Sequence, residues 1–300
     1  MTTNILDYLK TLPQYILPHH FLSRLVFYAT RSQWRPWKNL LIKYFIRLYR
    51  VDMNIAKQAD YRQYSSFNHF FTRELNNDAR PIVADMECIA SPVDGTISQT
   101  GLISDTDIFQ AKGRLFNLTA LLAAKPELSN YFRNGCFATL YLSPRDYHRI
   151  HMPIDGQLEE MIYVPGRLFA VNNSAARNID QLFCRNERLI KIFDTVIGKM
   201  AIISVGALFV GSMETVWAGQ ITPARKREIS HWHYQQTGQN ISLSKGEELA
   251  RFNMGSTVIL LFGPGRIEWS QALQPESLVK MGEALGKIII KHGATEDTEK

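Results

Sequence analysis

Two patterns of hydrophobic and polar positions divide this chain. In its first part, apolar and basic residues recur with a helical period, most clearly over 37–50, where polar positions lie three to five residues apart. From about residue 82 onwards, short apolar runs alternate with turn residues. We therefore predict an α+β fold, with an N-terminal amphipathic helical region over 1–55 and a β-rich domain of curved antiparallel sheets over 56–300.

The β-rich part contains several runs of strand length and few helical segments. The first run has Asp94-Gly95 at its corner, which predicts two strands joined by a tight turn. A helical insertion is predicted over 115–133, and Ser66 is placed to cap a short helix before it. The predicted strand runs are 89–98, 137–142, 157–164, 189–193, 200–210, 214–217 and 256–262.

The last of these runs carries the most unusual chemistry. Gly255-Ser256-Thr257 leads into a buried, β-branched strand that ends at Gly263-Pro264-Gly265. Gly255 has no Cβ, so its backbone is free to bend, and the Ser256 hydroxyl is the nearest nucleophile to its carbonyl. Two interpretations stay open from these residues alone: a Gly-Ser turn entering a core strand, or a bond that rearranges from amide to ester.

Three further segments hold residues capable of acid–base chemistry. His148 and His151 follow a predicted strand and are bracketed by two prolines, which indicates a rigid connection on the surface or at a cleft; packing, acid–base and metal-binding roles stay open for them. Asp94 is either a turn residue or the acid that orients a histidine. For the third segment, His231 and His233 on one face of a strand, a structural role is favoured.

Charge and composition narrow the function classes. The chain has 300 residues, 45% hydrophobic, and a net charge of +6. Its first fifty residues carry eight Lys or Arg against one acid, so the basic character is local and does not indicate nucleic-acid binding. Basic residues beside Trp34 and Trp37 favour attachment to an anionic membrane surface.

Cysteine usage and hydropathy set further expectations. Three scattered cysteines argue against a disulfide framework or a cysteine-based zinc site, and for a reducing compartment. No signal peptide is expected, and no apolar run reaches the length that a membrane span needs.

Five longer motifs are distributed over the chain. They are Tyr-Leu-Ser-Pro-Arg-Asp-Tyr-His-Arg-Ile-His-Met-Pro at 141–153, Ile-Tyr-Val-Pro-Gly at 162–166, Phe-Cys-Arg-Asn-Glu-Arg at 183–188, Glu-Thr-Val-Trp-Ala-Gly at 214–219 and Gly-Ser-Thr-Val-Ile at 255–259. Together they make the chain resemble one family, the bacterial phosphatidylserine decarboxylases of the membrane-associated, pyruvoyl-dependent type, over about residues 15–286. Met254, Ala250 and Ile154-Asp155 depart from the usual pattern of that family, but none of these removes a reactive group.

The resemblance implies a self-processing lyase. Ser256 attacks the Gly255 carbonyl with His151 as general base and Asp94 orienting that histidine, and the chain divides into a large piece, 1–255, and a small piece, 256–300. Ser256 becomes a covalent pyruvoyl group, the cofactor, which forms a Schiff base with phosphatidylserine and takes up electrons as carbon dioxide leaves to give phosphatidylethanolamine. His148 contacts the substrate and moves protons.

The resemblance also implies partners and a location. These are the phosphatidylserine substrate, the cytoplasmic side of the cell membrane as a peripheral attachment, and the two pieces of one precursor. The sequence leaves the oligomeric state open, with a homodimer as one alternative; neither a metal nor nucleic acid is expected. Two alternatives stay open: a lipid hydrolase with a permanent Ser256–His151–Asp94 triad, and a non-catalytic membrane-binding scaffold. The hydrolase lacks support from the motif, because Gly-x-Ser-x-Gly is absent around Ser256.

Overall fold

Antiparallel β-sheet dominates this protein. The structure, a computed structural model, describes residues 11–111, 113–208, 212–224, 227–253 and 256–289. Strands outnumber helices within these ranges, and every strand pairing in the sheets is antiparallel. The predicted β-rich antiparallel fold is confirmed.

The helices are short except for two near the N-terminus. Two 3₁₀ turns, Leu12–Tyr15 and Tyr61–Gln63, accompany them. Ser66 Oγ accepts the backbone N–H of His69 and caps the third helix, as predicted. The α-helices are α1 (His19–Arg31), α2 (Arg35–Tyr49), α3 (Phe67–Phe71), α4 (Leu118–Leu121), α5 (Pro126–Phe132), α6 (Asn173–Asn178) and α7 (Leu182–Arg185).

The strands follow the predicted runs closely in most places. They are β1 (Cys88–Ala90), β2 (Gly95–Leu102), β3 (Asp107–Ala111), β4 (Arg114–Asn117), β5 (Cys136–Leu142), β6 (Arg149–His151), β7 (Gly156–Val164), β8 (Arg188–Thr195), β9 (Gly198–Val205), β10 (Met213–Thr215), β11 (Gly219–Gln220), β12 (Ser230–His233), β13 (Ser242–Leu243), β14 (Glu248–Phe252), β15 (Ser256–Phe262), β16 (Ile267–Trp269), β17 (Leu278–Val279) and β18 (Ala284–Ile288).

One large sheet organises the domain around β15. Its order among the described residues is β12-β7-β8-β9-β15-β5-β2-β17, with β13 also paired to β7. All seven residues of β15 are buried, because β5 and β9 cover its two edges and apolar side chains cover its faces. The smaller sheets among the described residues have the orders β1-β18-β16, β11-β10-β14-β6 and β3-β4.

The helix α2 packs on a separate small core. Ile42 on α2 is fully buried against the aromatic cluster of α3, with Phe45 in edge contact with Phe67. Lys38 departs from the predicted basic stripe, because its side chain turns inward and Nζ donates to the Arg62 carbonyl. Each described helix falls short of the length and apolar character that crossing a bilayer requires.

Three local predictions are corrected by the structure. The strands β1 and β2 on either side of Asp94-Gly95 do not pair with each other, since β1 joins β18 and β2 joins β5. The strand predicted over 200–210 ends at Val205, with 209 and 210 outside the described residues. Of the two positions expected for His148 and His151, at the surface or at a cleft, the structure excludes the surface, because both residues are buried and His151 lies on β6.

A buried lysine lies in the middle of the large sheet. Lys191 on β8 is fully buried, and its Nζ donates to Ser204 Oγ on β9. Burial lowers the pKa of Lys191 from 10.5 to about 7, because the charged amine loses its hydration. The folded state therefore holds this amine neutral over a pH range in which the unfolded chain would protonate it.

This difference in proton uptake predicts that Lys191→Met stabilises the protein, and more so as the pH falls. Between 10.5 and about 7 the unfolded state binds the proton that the folded state does not, so the wild type loses stability on the order of several kcal/mol. We expect the gain in unfolding free energy of Lys191→Met to grow as the pH falls through that window, measured by denaturant unfolding. Lys199→Met, which removes a partly exposed lysine paired with Glu159, is the control; an equal pH-dependent gain in both variants would contradict the assignment.

Candidate active site

Ser256 begins the central strand and is completely buried. It pairs with Leu142, the last residue of β5, and this pairing fixes its position along the strand direction of the sheet. Its hydroxyl has no hydrogen-bond partner in the structure, and neither has that of the next residue, Thr257. A buried hydroxyl without a partner costs roughly 1–3 kcal/mol, so this nucleophile is held in place by the strand and not by its own polar contacts.

The backbone on the other side of the predicted cleavage site is anchored as well. Gly255 and Met254 lie outside the described residues. Before them, the backbone N–H of Asn253 donates to the Ser212 carbonyl at 3.0 Å, and its Nδ2 donates to Ser212 Oγ at 2.6 Å. Asn68 Nδ2 donates to Asn253 Oδ1 at 3.0 Å. In the sequence, Met254 and Gly255 therefore connect Asn253, which these hydrogen bonds hold in place, to Ser256, which the sheet holds in place.

Asp94 reaches the same end of the sheet from the opposite side of β5. It directly precedes β2, whose Thr96 pairs with Tyr141 of β5. Gly95 permits this approach, because a Cβ there would lie 2.5 Å from the Tyr141 carbonyl oxygen. Since β15 and β2 flank β5, Asp94 and Ser256 are about two strand spacings apart, roughly 10 Å.

The short strand β6 brings His151 to the same region as Asp94. Its backbone N–H donates to the Pro92 carbonyl at 2.8 Å, which places β6 beside the turn that carries Asp94. In its side chain, Nδ1–H donates to the Gly246 carbonyl at 2.8 Å, and Nε2 accepts the Tyr147 hydroxyl at 3.1 Å. Burial lowers the pKa of His151, so the ring is neutral near pH 7 with its lone pair on Nε2.

The partner of Asp94 is an arginine that the sequence did not indicate. Arg80 Nε donates to Asp94 Oδ1 at 2.7 Å, and its NH2 donates to Oδ2, forming a two-point ion pair with both side chains about 10% exposed. The same Oδ1 accepts the backbone N–H of Met281 at 2.9 Å. The hydrogen bonds to Asp94 raise the pKa of the Arg80 guanidinium. Asp94 therefore contributes negative charge near His151 without contacting its ring.

His148 is held in a different way. Its ring stacks on Phe71 with the centroids 4.1 Å apart, and Nε2–H donates to the Ser143 carbonyl at 3.1 Å. Nδ1 is buried and without a partner in the structure. Burial lowers the pKa of His148 to about 3, with the nearby Arg73 as a second cause. This histidine is therefore a neutral hydrogen-bond acceptor at Nδ1.

A cavity of about 290 Å³ opens beside Asp94. Asp94 and Tyr147 line it, so it borders the elements that hold His151. Its remaining wall is rich in cations, which suits it to an anionic group. The charged residues of the lining are Arg50, Asp52, Arg73, Arg80, Asp94, Arg145, Asp146 and Lys280.

The structure brings Asp94, His148, His151 and Ser256 to one end of the large sheet, but it does not join them in a hydrogen-bonded relay. The partners it gives are Arg80 for Asp94, and Tyr147 with Gly246 for His151. Sequence reasoning missed these partners and Arg73. Tyr147 alone lay inside a motif that had been singled out.

The residues present fit a cofactor made from the chain itself. Ser256 Oγ is a buried nucleophile that makes no hydrogen bond and follows a glycine in the chain, and His151 is neutral at the same end of the sheet. The same atom is a poor fit to a lipid hydrolase, because it is fully buried and opens a strand inside the sheet.

Comparison with known proteins decides the family. The family model described as phosphatidylserine decarboxylase matches residues 67–287, and a second, described as PSD, matches residues 9–50. The chain belongs to the phosphatidylserine decarboxylase family. The predicted family is thereby confirmed, and the matched residues include Asp94, both site histidines and Ser256.

Similar proteins in this family cover nearly the whole chain. A phosphatidylserine decarboxylase proenzyme of Stutzerimonas stutzeri is 48% identical over 295 residues, covering 98% of this chain and 99% of the relative. The proenzyme of Pseudoalteromonas translucida is 49% identical over 284 residues, 94% and 99% of the two chains. That of Pseudomonas aeruginosa is 50% identical over 280 residues, 93% and 96%.

Proposed function

We propose that this protein is a self-processing phosphatidylserine decarboxylase whose pyruvoyl group forms from Ser256. The observation that carries the proposal is the buried, unpartnered Ser256 hydroxyl at the start of the central strand. Membership of a family whose relatives are named proenzymes supports it. No observation favours the lipid hydrolase or the non-catalytic scaffold.

Processing begins with proton transfer to His151. Its neutral Nε2 accepts the Ser256 proton once the Tyr147 hydroxyl moves aside, and the freed oxygen attacks the Gly255 carbonyl carbon. The peptide C–N bond then breaks to leave an ester. Loss of the Ser256 Cα proton breaks the ester, releasing Gly255 as a carboxylate, and hydrolysis of the resulting dehydroalanine releases ammonia. The negative charge of Asp94, fixed by Arg80, stabilises the imidazolium that forms.

Once formed, the pyruvoyl group supplies an electron sink for decarboxylation of the substrate amine. The cations of the cavity, Arg73 and Arg145 among them, are suited to the phosphate and carboxylate of a phosphoserine headgroup. We propose that His148 Nδ1 contacts the substrate and accepts a proton from it. This nitrogen carries a lone pair and makes no hydrogen bond in the structure, because the ring N–H is on Nε2.

We also propose that α1 and α2 attach the protein to an anionic membrane surface. Their outer face is apolar, and the opposite face of α2 is already used against α3. On α2, Arg35, Lys43 and Arg47 are exposed beside the apolar stripe, which favours anionic lipid as the occupant. The exposed apolar residues are Phe21, Leu25, Tyr28, Trp34, Trp37, Leu40, Tyr44 and Leu48.

Membrane attachment would bring the site to its substrate. Arg50, the residue directly after α2, lines the cavity beside Asp94. A lipid headgroup at the surface on which α2 lies is therefore next to the cavity entrance. Attachment at the cytoplasmic side of the cell membrane, the helical region 1–55 as a membrane-binding domain, and a homodimer are further parts of this proposal.

Replacing Ser256 tests self-processing directly. Ser256→Ala is expected to remain a single chain of 34.4 kDa without decarboxylase activity, because no hydroxyl can attack the Gly255 carbonyl. Intact-mass measurement of the wild type is expected to show a small piece spanning 256–300. Thr257→Val is the matched control, since it removes the neighbouring unpartnered hydroxyl and is expected to cleave normally. Decarboxylation by an uncleaved Ser256→Ala protein would overturn the proposal.

The two histidines are expected to separate into different roles. His151→Ala is expected to slow cleavage about 10²–10⁴-fold, and Asp94→Asn to slow it less, whereas His148→Ala is expected to cleave but turn over poorly. Tyr147→Phe keeps the His151 ring and is expected to cleave. Because burial lowers the pKa of His151, the cleavage rate is expected to stay constant from about pH 8 to 6.5 and to fall only at lower pH. Equal cleavage defects in His148→Ala and His151→Ala would refute this division.

Vesicle binding tests the membrane part of the proposal. The double variant Leu40→Glu/Leu48→Glu is expected to lose flotation with vesicles containing phosphatidylserine, because it places acids on the apolar stripe of α2. Leu102→Glu changes an even more exposed leucine on β2 and is expected to bind as the wild type does. Unchanged flotation of the double variant would exclude α2 as the membrane-binding element.

A further inference from the structure

A second group of chemically active side chains lies at the far edge of the large sheet. β12 pairs with β7 so that His233 stands opposite Glu160 and His231 opposite Ile162. Because side chains alternate along a strand, His231, His233 and Glu160 share one face. β12 is four strands from β15, which puts this group about 20 Å from Ser256 across the sheet.

The three side chains converge closely enough to share one ion. One ligand atom from each lies within 4.8 Å of the others. The two imidazole rings are nearly parallel, with their centroids 6.2 Å apart, and His233 Nδ1 is 3.6 Å from Glu160 Oε2. Glu160 is buried, whereas the histidines are open to solvent, so an ion would enter from outside.

One cation already contacts the carboxylate. Lys125 Nζ lies 2.5 Å from Glu160 Oε2, just before α5. The Lys125 ammonium balances the charge of Glu160, but among the described residues its Nζ makes no hydrogen bond to either imidazole. A metal ion would satisfy all three groups at once.

We propose that Glu160, His231 and His233 bind a late first-row divalent metal ion such as Zn²⁺, Ni²⁺ or Cu²⁺, which displaces Lys125 from the carboxylate. Imidazole nitrogens beside one carboxylate suit these ions, whereas Mg²⁺ and Ca²⁺ prefer oxygen ligands. Three protein ligands leave at least one coordination position to water. The metal joins the edge strand β12 to β7 and stabilises this edge of the sheet.

This inference goes beyond the sequence-based interpretation of the two histidines as structural. The pair alone offers two ligands on an edge strand, and such pairs are common. Glu160 adds a buried third ligand from a strand that is about seventy residues away in the sequence. The proposal is independent of self-processing and of the decarboxylase activity.

Metal titration of the purified, tag-free full chain tests the proposal. After treatment with a chelator, Cu²⁺, Ni²⁺ or Zn²⁺ is expected to bind at one site per chain by calorimetry. His231→Ala and His233→Ala are each expected to weaken this binding by about tenfold or more. His69→Ala, which removes an exposed histidine elsewhere, is expected to leave it unchanged.

Lys125 provides a test in the opposite direction. Lys125→Met removes the competing ammonium and is expected to tighten metal binding, while Glu160→Gln is expected to weaken it. Electron paramagnetic resonance of the Cu²⁺ complex is expected to show coupling to imidazole nitrogens that is lost in His231→Ala/His233→Ala. Absence of saturable binding, or binding that the histidine variants leave intact, would overturn the proposal; so would Lys125→Met binding more weakly than the wild type.

Discussion

The structure depends on the hydrogen-bonded ladder that holds β15 between β5 and β9. Ser256 to Phe262 pair with β5 in continuous register, and Thr257 to Phe262 pair with β9. A slip of one residue would turn every side chain of β15 to the opposite face, which a fully buried strand does not tolerate. The ladder therefore fixes where Ser256 lies and which side of the sheet its hydroxyl faces. The turn that carries Asp94 and the segment that carries the histidines are placed relative to the same strand end.

Burial then sets the protonation of the groups around that strand end. His148 and His151 are both deprived of water, which disfavours their charged forms, and each donates one ring N–H to a backbone carbonyl. The carbonyls of Ser143 and Gly246 thus select the tautomer of each ring. Charge near these rings lies in the Asp94–Arg80 pair, in the Arg149–Glu248 pair beside His151 and in the wall of the cavity. The site combines neutral, oriented bases with fixed ion pairs.

How much the sequence predicted depended on the range of the interaction. Local patterns predicted β15, the Ser66 cap and the strand placement of His231 and His233, because periodicity and capping act over a few residues. Partners that are distant in the sequence could not be predicted from such patterns. Gly246 is 95 positions from His151, and the pairing of Glu160 with His233 depends on the register between β7 and β12. Lys38 was misassigned because α2 packs its lysine side against the Arg62 carbonyl, a tertiary contact that overrides the helical pattern.

The segment that follows Ser256 is threaded through the whole domain. It supplies β15 at the centre, β17 beside β2 and β18 beside β1, and its Met281 N–H reaches Asp94. A break in the backbone before Ser256 would leave these contacts intact and the two pieces interlocked. After unfolding, however, the two pieces would separate and would have to meet again by diffusion. Refolding would then depend on the association of two chains, whereas in the uncleaved chain it depends only on the closure of a loop. A nicked molecule of this architecture owes its persistence to slow unfolding and not to easy reassembly.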